Sequence, residues 1–327
     1  MFVIDIKIVL RTMLNRHHLR VKALHSLYAQ FSAPEFDMIH GEKELQKSID
    51  KYYDLYIHQL SLFGELFRIA ERIIDDGKQK QLPTREDLAP NTKFVDNLAL
   101  RMLVSNSELT TKMQQYKVSW LDEHETLRKL FNKIRLSDTY KAYMEKSTNY
   151  FSDAKRFLID IYVEFIANNE YFEDYYEGMS IYWADDFYMI NVSVVKTIES
   201  LQETSTNSLR LQPLYKDADD DKRFVLELFR RVLLRNTELE KLIADKTQNW
   251  ELERIANMDI LLMRMAIVEL TYFKEIPIKV TLNEYIELSK EYSTDKSKNF
   301  VNGILDKLVI ELKASGDIAK IGRGLME

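Results

Sequence analysis

The chain has 327 residues, of which 46% are hydrophobic and 30% charged, a globular rather than a disordered composition. Glycine (8) and proline (5) are scarce, which argues against folds rich in sheet and favours long helices, while the absence of cysteine excludes disulfides, thiol catalysis and thiolate-bound metals. The net charge of −6 argues against a protein that coats nucleic acid generally. No targeting or membrane segment is evident, so we expect a cytoplasmic protein without a membrane partner.

The first 31 residues form the only basic segment of the chain. They carry five Lys or Arg and one acidic residue, a net charge of +4, and end in the helical run LRVKALHSLYAQF before Pro34 breaks the pattern. The opening MFVIDIKIVLRTM is interrupted by charges and is a poor signal peptide. We expect translation to start at Met13, with residues 1–12 an extension.

Residues 32–216 are acidic, with 23 basic and 30 acidic residues. No glycine or proline occurs in 91–177, and apolar residues at 157–166 follow the spacing of one helical face. Nine of the 18 tyrosines lie between Tyr140 and Tyr188. They suit packing in a core or interface or a platform that stacks bases, although the acidic surroundings argue against the second interpretation.

Residues 217–327 begin with DADDD, which suits a helix N-terminus, and the apolar positions in 224–233 repeat the helical spacing. Pro277 is predicted to start a helix and Ser293 to stop it. Ser297 is then predicted to cap the next helix by accepting the Phe300 amide, and Gly303, inside that helix, predicts close approach of another backbone. We therefore interpret the whole chain as all-α.

Lys296 and Lys298 flank the start of this last helix, beside Phe300. Free amides, two lysines and a ring are typical of a site for phosphate and base. The same residues also suit a hydrophobic staple with solvated lysines, so the pattern by itself leaves both interpretations open.

The motifs of catalysis are missing. There is no phosphate-binding glycine loop, no HExxH and no pair of Glu-x-x-His turns for a di-iron bundle, and the six histidines are scattered. The sequence predicts no catalytic residue, no metal site, no cofactor and no enzymatic activity.

The segment KVTLNEYIELSKEYSTDKSKNFVNGILDKL resembles the C-terminal signature of the NusB family of transcription antitermination factors. The preceding ERIANMDILLMRMAIVEL is similar to the family's L-R-x-A-x-x-E-L helix, with Met263 in place of the leucine before Arg264. The N-terminal NRHHLRVKALHSLYAQ resembles the family's first helix. The resemblance covers about residues 13–31 and 217–314.

This resemblance implies a NusB-like helical bundle with a large helical insertion. Residues 1–31 would hold an N-terminal segment and the first helix, 32–216 the insertion, whose role the sequence does not indicate, 217–314 the rest of the bundle, and 315–327 a flexible tail. The long insertion suggests an enlarged, Bacteroidetes-type form of the family.

The resemblance also implies binding of boxA RNA together with the ribosomal protein NusE, in an antitermination complex with RNA polymerase that supports transcription of ribosomal RNA operons. The implied RNA contacts are Arg16, His17, His18, Arg20, Tyr28, Lys296, Ser297, Lys298 and Phe300. The residues implied to face NusE are Asp259, Ile278 and Glu284. Because two histidines stand where arginines are usual, RNA affinity is expected to depend on pH.

Two other functions compete with this one. An RNA cytosine methyltransferase with a NusB-like domain needs catalytic cysteines and a methyl-donor domain, and the chain has neither cysteine nor a glycine-rich loop. A helical scaffold that has lost RNA binding stays open, because the N-terminal segment is poor in arginine.

Overall fold

The computed structural model describes residues 13–203, 209–247 and 255–326. Within these ranges the secondary structure is helical and contains no strand, which confirms the all-α prediction. The expected extension 1–12 and the last residue of the predicted tail lie outside the described residues. The α-helices are α1 Arg16–Ser32, α2 Met38–Lys78, α3 Arg85–Leu88, α4 Leu98–Val104, α5 Ser107–Gln115, α6 His124–Leu136, α7 Asp138–Glu145, α8 Phe151–Tyr162, α9 Glu170–Met179, α10 Phe187–Ser200, α11 Ala218–Leu234, α12 Asn236–Lys246, α13 Asn257–Tyr272, α14 Ile278–Tyr292 and α15 Ser297–Ala314.

The chain divides into two compact units. Among the described residues, the terminal unit contains 14–49, 215–247 and 255–326, and the insertion unit contains Met13, 50–203 and 209–214. Helix α2 contributes residues to both, because the division falls after Ile49. No helix among the described residues is long and apolar enough to cross a membrane.

The terminal unit is built around α13. This helix contacts α1, α11, α12, α14 and α15, and ten of its 16 residues are buried. A helix that is apolar on most of its circumference is stable only when other helices surround it. Two of its buried residues, Asp259 and Glu269, are acidic, and Glu269 is fully buried.

Helix α11 packs against α1 and α13 as its apolar spacing predicts. All six predicted positions, from Phe224 to Leu233, are buried, and Asp217 caps the helix by accepting the Asp220 amide. The start of α2 approaches α11 closely, since a Cβ on Gly41 would lie 2.6 Å from the Phe229 ring. Arg230 on α11 adds a bidentate pair with Glu42, with both distances 2.6 Å.

Two details of α15 differ from the sequence-based predictions. The helix starts at Ser297, but the Phe300 amide bonds the Lys296 carbonyl, so the predicted cap by the Ser297 hydroxyl is wrong. Ser297 is the first helical residue rather than the cap, and its hydroxyl donates to the buried Asp259 carboxylate and accepts the Thr294 amide. The close backbone approach predicted at Gly303 is also wrong, since nothing lies within 4 Å of a Cβ built there.

The segment after α15 packs on the connection between α13 and α14. The Ile321 amide donates to the Lys274 carbonyl, and Lys320 Nζ lies 3.0 Å from the Phe273 carbonyl. A Cβ on Gly324 would lie 2.0 Å from the Lys274 oxygen, so only glycine fits there. Burial lowers the pKa of Lys320 to about 8.

In the insertion unit, buried residues of α2 after Ile49 contact later helices, as Tyr56 does through its hydroxyl bond to Thr197 of α10. Helix α8 contacts α4, α7 and α10 and continues into a π-helical turn at Val163–Ala167. The predicted helical face at 157–166 is buried at five of its six positions, and Phe165 is half-buried. Tyr162 is fully buried and its hydroxyl lies 2.7 Å from Asn191 Oδ1, which is packing with a satisfied polar end.

Candidate nucleic-acid interface

Helix α1 begins with a reciprocal cap. Asn15 Oδ1 accepts the His18 amide at 3.0 Å, and the Asn15 amide donates to His18 Nδ1 at 3.3 Å. An accepting Nδ1 carries no proton, and burial lowers the pKa of His18 to about 4. His18 is therefore neutral at physiological pH and orders the start of the helix.

Arg16, the first residue of α1, is half-buried and ion-paired. Its Nη2 lies 2.5 Å from Asp220 Oδ2 and its Nε lies 3.1 Å from Asp221 Oδ1, while the guanidinium stacks 4.1 Å from the centre of the Phe224 ring. The acidic N-terminus of α11 therefore holds the arginine that the sequence assigns to RNA.

Arg20 lies inside the terminal unit, where 1% of its surface is exposed. Its Nε and Nη2 each donate to a Glu269 oxygen at 2.7 Å, and Nη1 lies 3.2 Å from Glu284. Thr281 and Tyr285 also bond Glu269, so both members of the buried pair are satisfied. In this arrangement Arg20 ties α1 to α13 and α14 and does not reach the surface.

His17 lies between two carboxylates of α14. Nδ1 is 2.9 Å from Glu284 Oε2 and Nε2 is 3.7 Å from Glu291 Oε2. The hydrogen bond to Glu284 raises the pKa of His17 above its ordinary value, although partial burial opposes this. Burial would raise the pKa of Glu284, but His17 and Arg20 lower it.

We predict that His17 and His18 have opposite effects on stability as the pH changes, because the pKa of His17 is raised and that of His18 is lowered. A raised pKa means that His17 stabilises the fold fully below its unfolded pKa of about 6.5 and that this contribution is lost as the pH rises through the folded value. His18, with its lowered pKa, destabilises the fold as the pH falls below about 6.5, because only the unfolded chain then takes up the proton.

Proton resonances of the two rings, followed by NMR from pH 4 to 9, measure this directly. His17 is expected to titrate above about 6.5 and His18 to stay neutral until below about 5. Glu284→Gln should bring the His17 midpoint down, whereas Glu287→Gln, on the same helix but paired with Lys290, should leave it unchanged. A His17 midpoint below 6.5 in the wild-type protein contradicts the prediction.

The other predicted aromatic on α1, Tyr28, is 45% exposed. It lies one turn beyond His25, whose ring packs edge-on against Tyr292 with centroids 5.2 Å apart. Tyr292 ends α14 immediately before the turn that leads to α15. Through this ring contact, α1 packs against the end of α14, next to the start of α15 where the other predicted RNA contacts lie.

That second part is the start of α15. Lys296 and Lys298 are exposed, and neither makes an ion pair within the residues that the structure describes. Phe300, one turn into the helix, is half-buried. Ser297 is buried and bonded to Asp259 Oδ2 at 2.8 Å, so it shapes the turn from inside.

The residues predicted to face a protein partner differ in accessibility. Asp259 is 4% exposed and accepts hydroxyl hydrogen bonds from both Ser293 and Ser297. Ile278, which starts α14, and Glu284, which binds His17 and Arg20, are half-buried. Asp259 therefore fixes the turn before α15, whereas Ile278 and Glu284 border the surface.

The structure brings the predicted residues into two sets. Arg16, His17 and Arg20 lie together against α11 and α14, and Ser297 and Asp259 lie together at the start of α15 with the lysines beside them. No contact in the described part of the chain joins Arg16 to Lys296. The sequence-based prediction missed four acidic neighbours of the first set, Asp220, Asp221, Glu269 and Glu291, although DADDD was a visible signal for the first two. It named Glu284 only as a residue that faces NusE.

Comparison with known proteins places these elements in a family. The NusB family model matches residues 190–309, which include α11 to α14 and most of α15. The chain is 45% identical over 106 residues to a transcription antitermination protein NusB of Chloroherpeton thalassium, covering 32% of this chain and half of that protein.

Two further relatives with the same name are matched over most of their length. The chain is 38% identical to the protein of Salinibacter ruber, in an alignment that covers 41% of this chain and 86% of that protein. It is 36% identical to the protein of Oleidesulfovibrio alaskensis, in an alignment that covers 39% of this chain and 82% of that protein. No solved structure matches the chain. Since more than four fifths of two relatives align at over 30% identity, the chain belongs to the NusB family.

Proposed function

We propose that this protein is a cytoplasmic, non-enzymatic transcription antitermination factor that binds boxA RNA together with NusE, in an RNA polymerase complex on ribosomal RNA operons. The observation that carries the proposal is the pair of exposed lysines at the start of α15, within the segment that the family model covers. The names of the relatives support a role in transcription antitermination.

The proposed RNA face is centred on these lysines. Lys296 and Lys298 neutralise phosphates beside the amides of a helix N-terminus, and the exposed Tyr28 and half-buried Phe300 stack bases. His17 and Arg16 extend the face once RNA phosphates replace their carboxylate partners. Arg20, His18 and Ser297 support it from within by holding α1 and the turn before α15 in place.

The proposed NusE surface adjoins this face along α14. Ile278 supplies an apolar contact at the helix start, and Glu284 a carboxylate. Asp259 supports this surface indirectly, because its bonds to Ser293 and Ser297 hold the end of α14 against the start of α15.

Removal of the two lysine charges tests the RNA face. Lys296→Gln with Lys298→Gln is expected to weaken boxA RNA binding about tenfold at moderate salt and to reduce the salt slope by about 1.4, because each lysine neutralises about one phosphate of a single strand. Fluorescence anisotropy across a salt series, with and without NusE, measures both quantities.

The matched control is Lys307→Gln with Lys313→Gln, which removes the same charge from exposed positions further along α15. This control should bind RNA nearly as the wild type does. Equal weakening by both double variants, or equal binding of boxA and scrambled RNA, would count against the proposed face.

A helical scaffold without RNA binding is the second candidate. It is favoured by the ion pairing of Arg16, His17 and Arg20, which face the five carboxylates of Asp220, Asp221, Glu269, Glu284 and Glu291. Absence of boxA binding both with and without NusE would select this candidate.

A further inference from the structure

A pocket in the insertion unit lies between α2, α4 and α5. Its volume is about 410 Å³, within the range of about 300 to 1,000 Å³ that small-molecule sites occupy. The apolar part of its wall is formed by Leu60, Leu103, Val104, Leu109, Met113 and Val118. Leu60, Leu103 and Leu109 are at most 4% exposed, so the floor of the pocket is apolar.

Gly64 lies in this wall, in the interior of the 41-residue helix α2. Glycine there costs about 1 kcal/mol relative to alanine. Packing within the protein does not explain it, because nothing lies within 4 Å of a Cβ built at this position. A glycine that faces open space exposes helix backbone to whatever enters the pocket, and it keeps that space clear.

Lys117 lies at the rim of the pocket and supplies a charge. It is exposed, makes no ion pair within the described residues, and is the one described non-glycine residue with a positive φ, at 52°. This conformation closes the end of α5, because the Lys117 and Val118 amides donate to the Gln114 and Met113 carbonyls. The other cation in the wall, Arg68, is already paired with Glu65.

We propose that this pocket binds a small anionic amphiphile, whose apolar body lies on the leucine floor over Gly64 and whose acidic group pairs with Lys117. The charge at the rim and the apolar floor select this class over a sugar or a cation. Because the pocket lies wholly in the insertion unit, the proposal is independent of RNA binding.

The probe is 1-anilinonaphthalene-8-sulfonate, an apolar fluorophore with one negative charge, titrated into the full-length protein. We expect saturable binding that decanoate displaces and that 1-decanol displaces much less. Gly64→Leu fills the pocket and should reduce affinity at least tenfold. Lys117→Gln should reduce it about twofold to fivefold, the effect of losing one partly exposed ion pair.

Two controls make the test specific. Gly178→Leu alters the other helical glycine of this unit with no neighbour within 4 Å, and Lys129→Gln removes an exposed lysine of α6. Both should bind the probe as the wild type does, and near-UV circular dichroism establishes that every variant is folded. The proposal is overturned by absence of saturable binding, by unchanged affinity in folded Gly64→Leu, or by equal loss in the control variants.

Discussion

Glu269→Gln is expected to lower the free energy of unfolding by about 3–5 kcal/mol, the largest stability effect of any single substitution proposed for this protein. The carboxylate is fully buried and takes two hydrogen bonds from Arg20, itself 1% exposed. Burial disfavours the arginine charge, but Glu269 more than offsets this and raises the pKa of Arg20. Glutamine keeps the size of the side chain and leaves a buried charge without its main partner.

Urea denaturation followed by circular dichroism measures this loss. The control is Glu287→Gln on the exposed surface of α14, where the pair with Lys290 is worth about 0.5 kcal/mol or less. Arg20→Met combined with Glu269→Gln should recover part of the loss, because no buried charge then remains. If Glu269→Gln cost no more than Glu287→Gln, the buried pair would not be what holds α1 to α13.

Asp220→Asn is expected to increase boxA RNA affinity about twofold to fivefold and to steepen its salt dependence. On the proposed RNA face, Asp220 competes with phosphate for Arg16, at a distance of 2.5 Å. An ion pair of this exposure is worth up to about 1 kcal/mol, and its removal makes Arg16 available to RNA. Asp221 still positions the guanidinium, since its own bond to Arg16 Nε is unchanged.

Asp219→Asn is the matched control, because it changes the same charge in the same turn of α11 at an exposed position with no ion pair in the described part of the chain. Anisotropy titrations of both variants at two salt concentrations separate the release of Arg16 and Arg223, which both pair with Asp220, from a general loss of negative charge. Equal gains in the two variants would show that Asp220 does not compete for Arg16.

Local patterns were enough to predict several of the helices. The apolar spacing in 224–233 led to α11, and Pro277 and Ser293 gave the bounds of α14, because these signals act within one or two turns. Ser297 and Gly303 were misinterpreted for one shared reason. The partner that decides each position is distant in sequence or absent: Asp259 binds Ser297 across 38 residues, and no neighbour approaches Gly303.

The sequence by itself determined the helical class, the family and the position of the two free lysines, because composition, helical period and a contiguous signature are local properties of the chain. Only the tertiary structure decided which basic residues are available. Arg16 and Arg20 are equivalent in the sequence, one turn apart on α1, yet folding places Arg16 against the N-terminus of α11 and buries Arg20 against Glu269. The availability of a charge depends on carboxylates that are about 200 residues away in the chain and about 3 Å away in space.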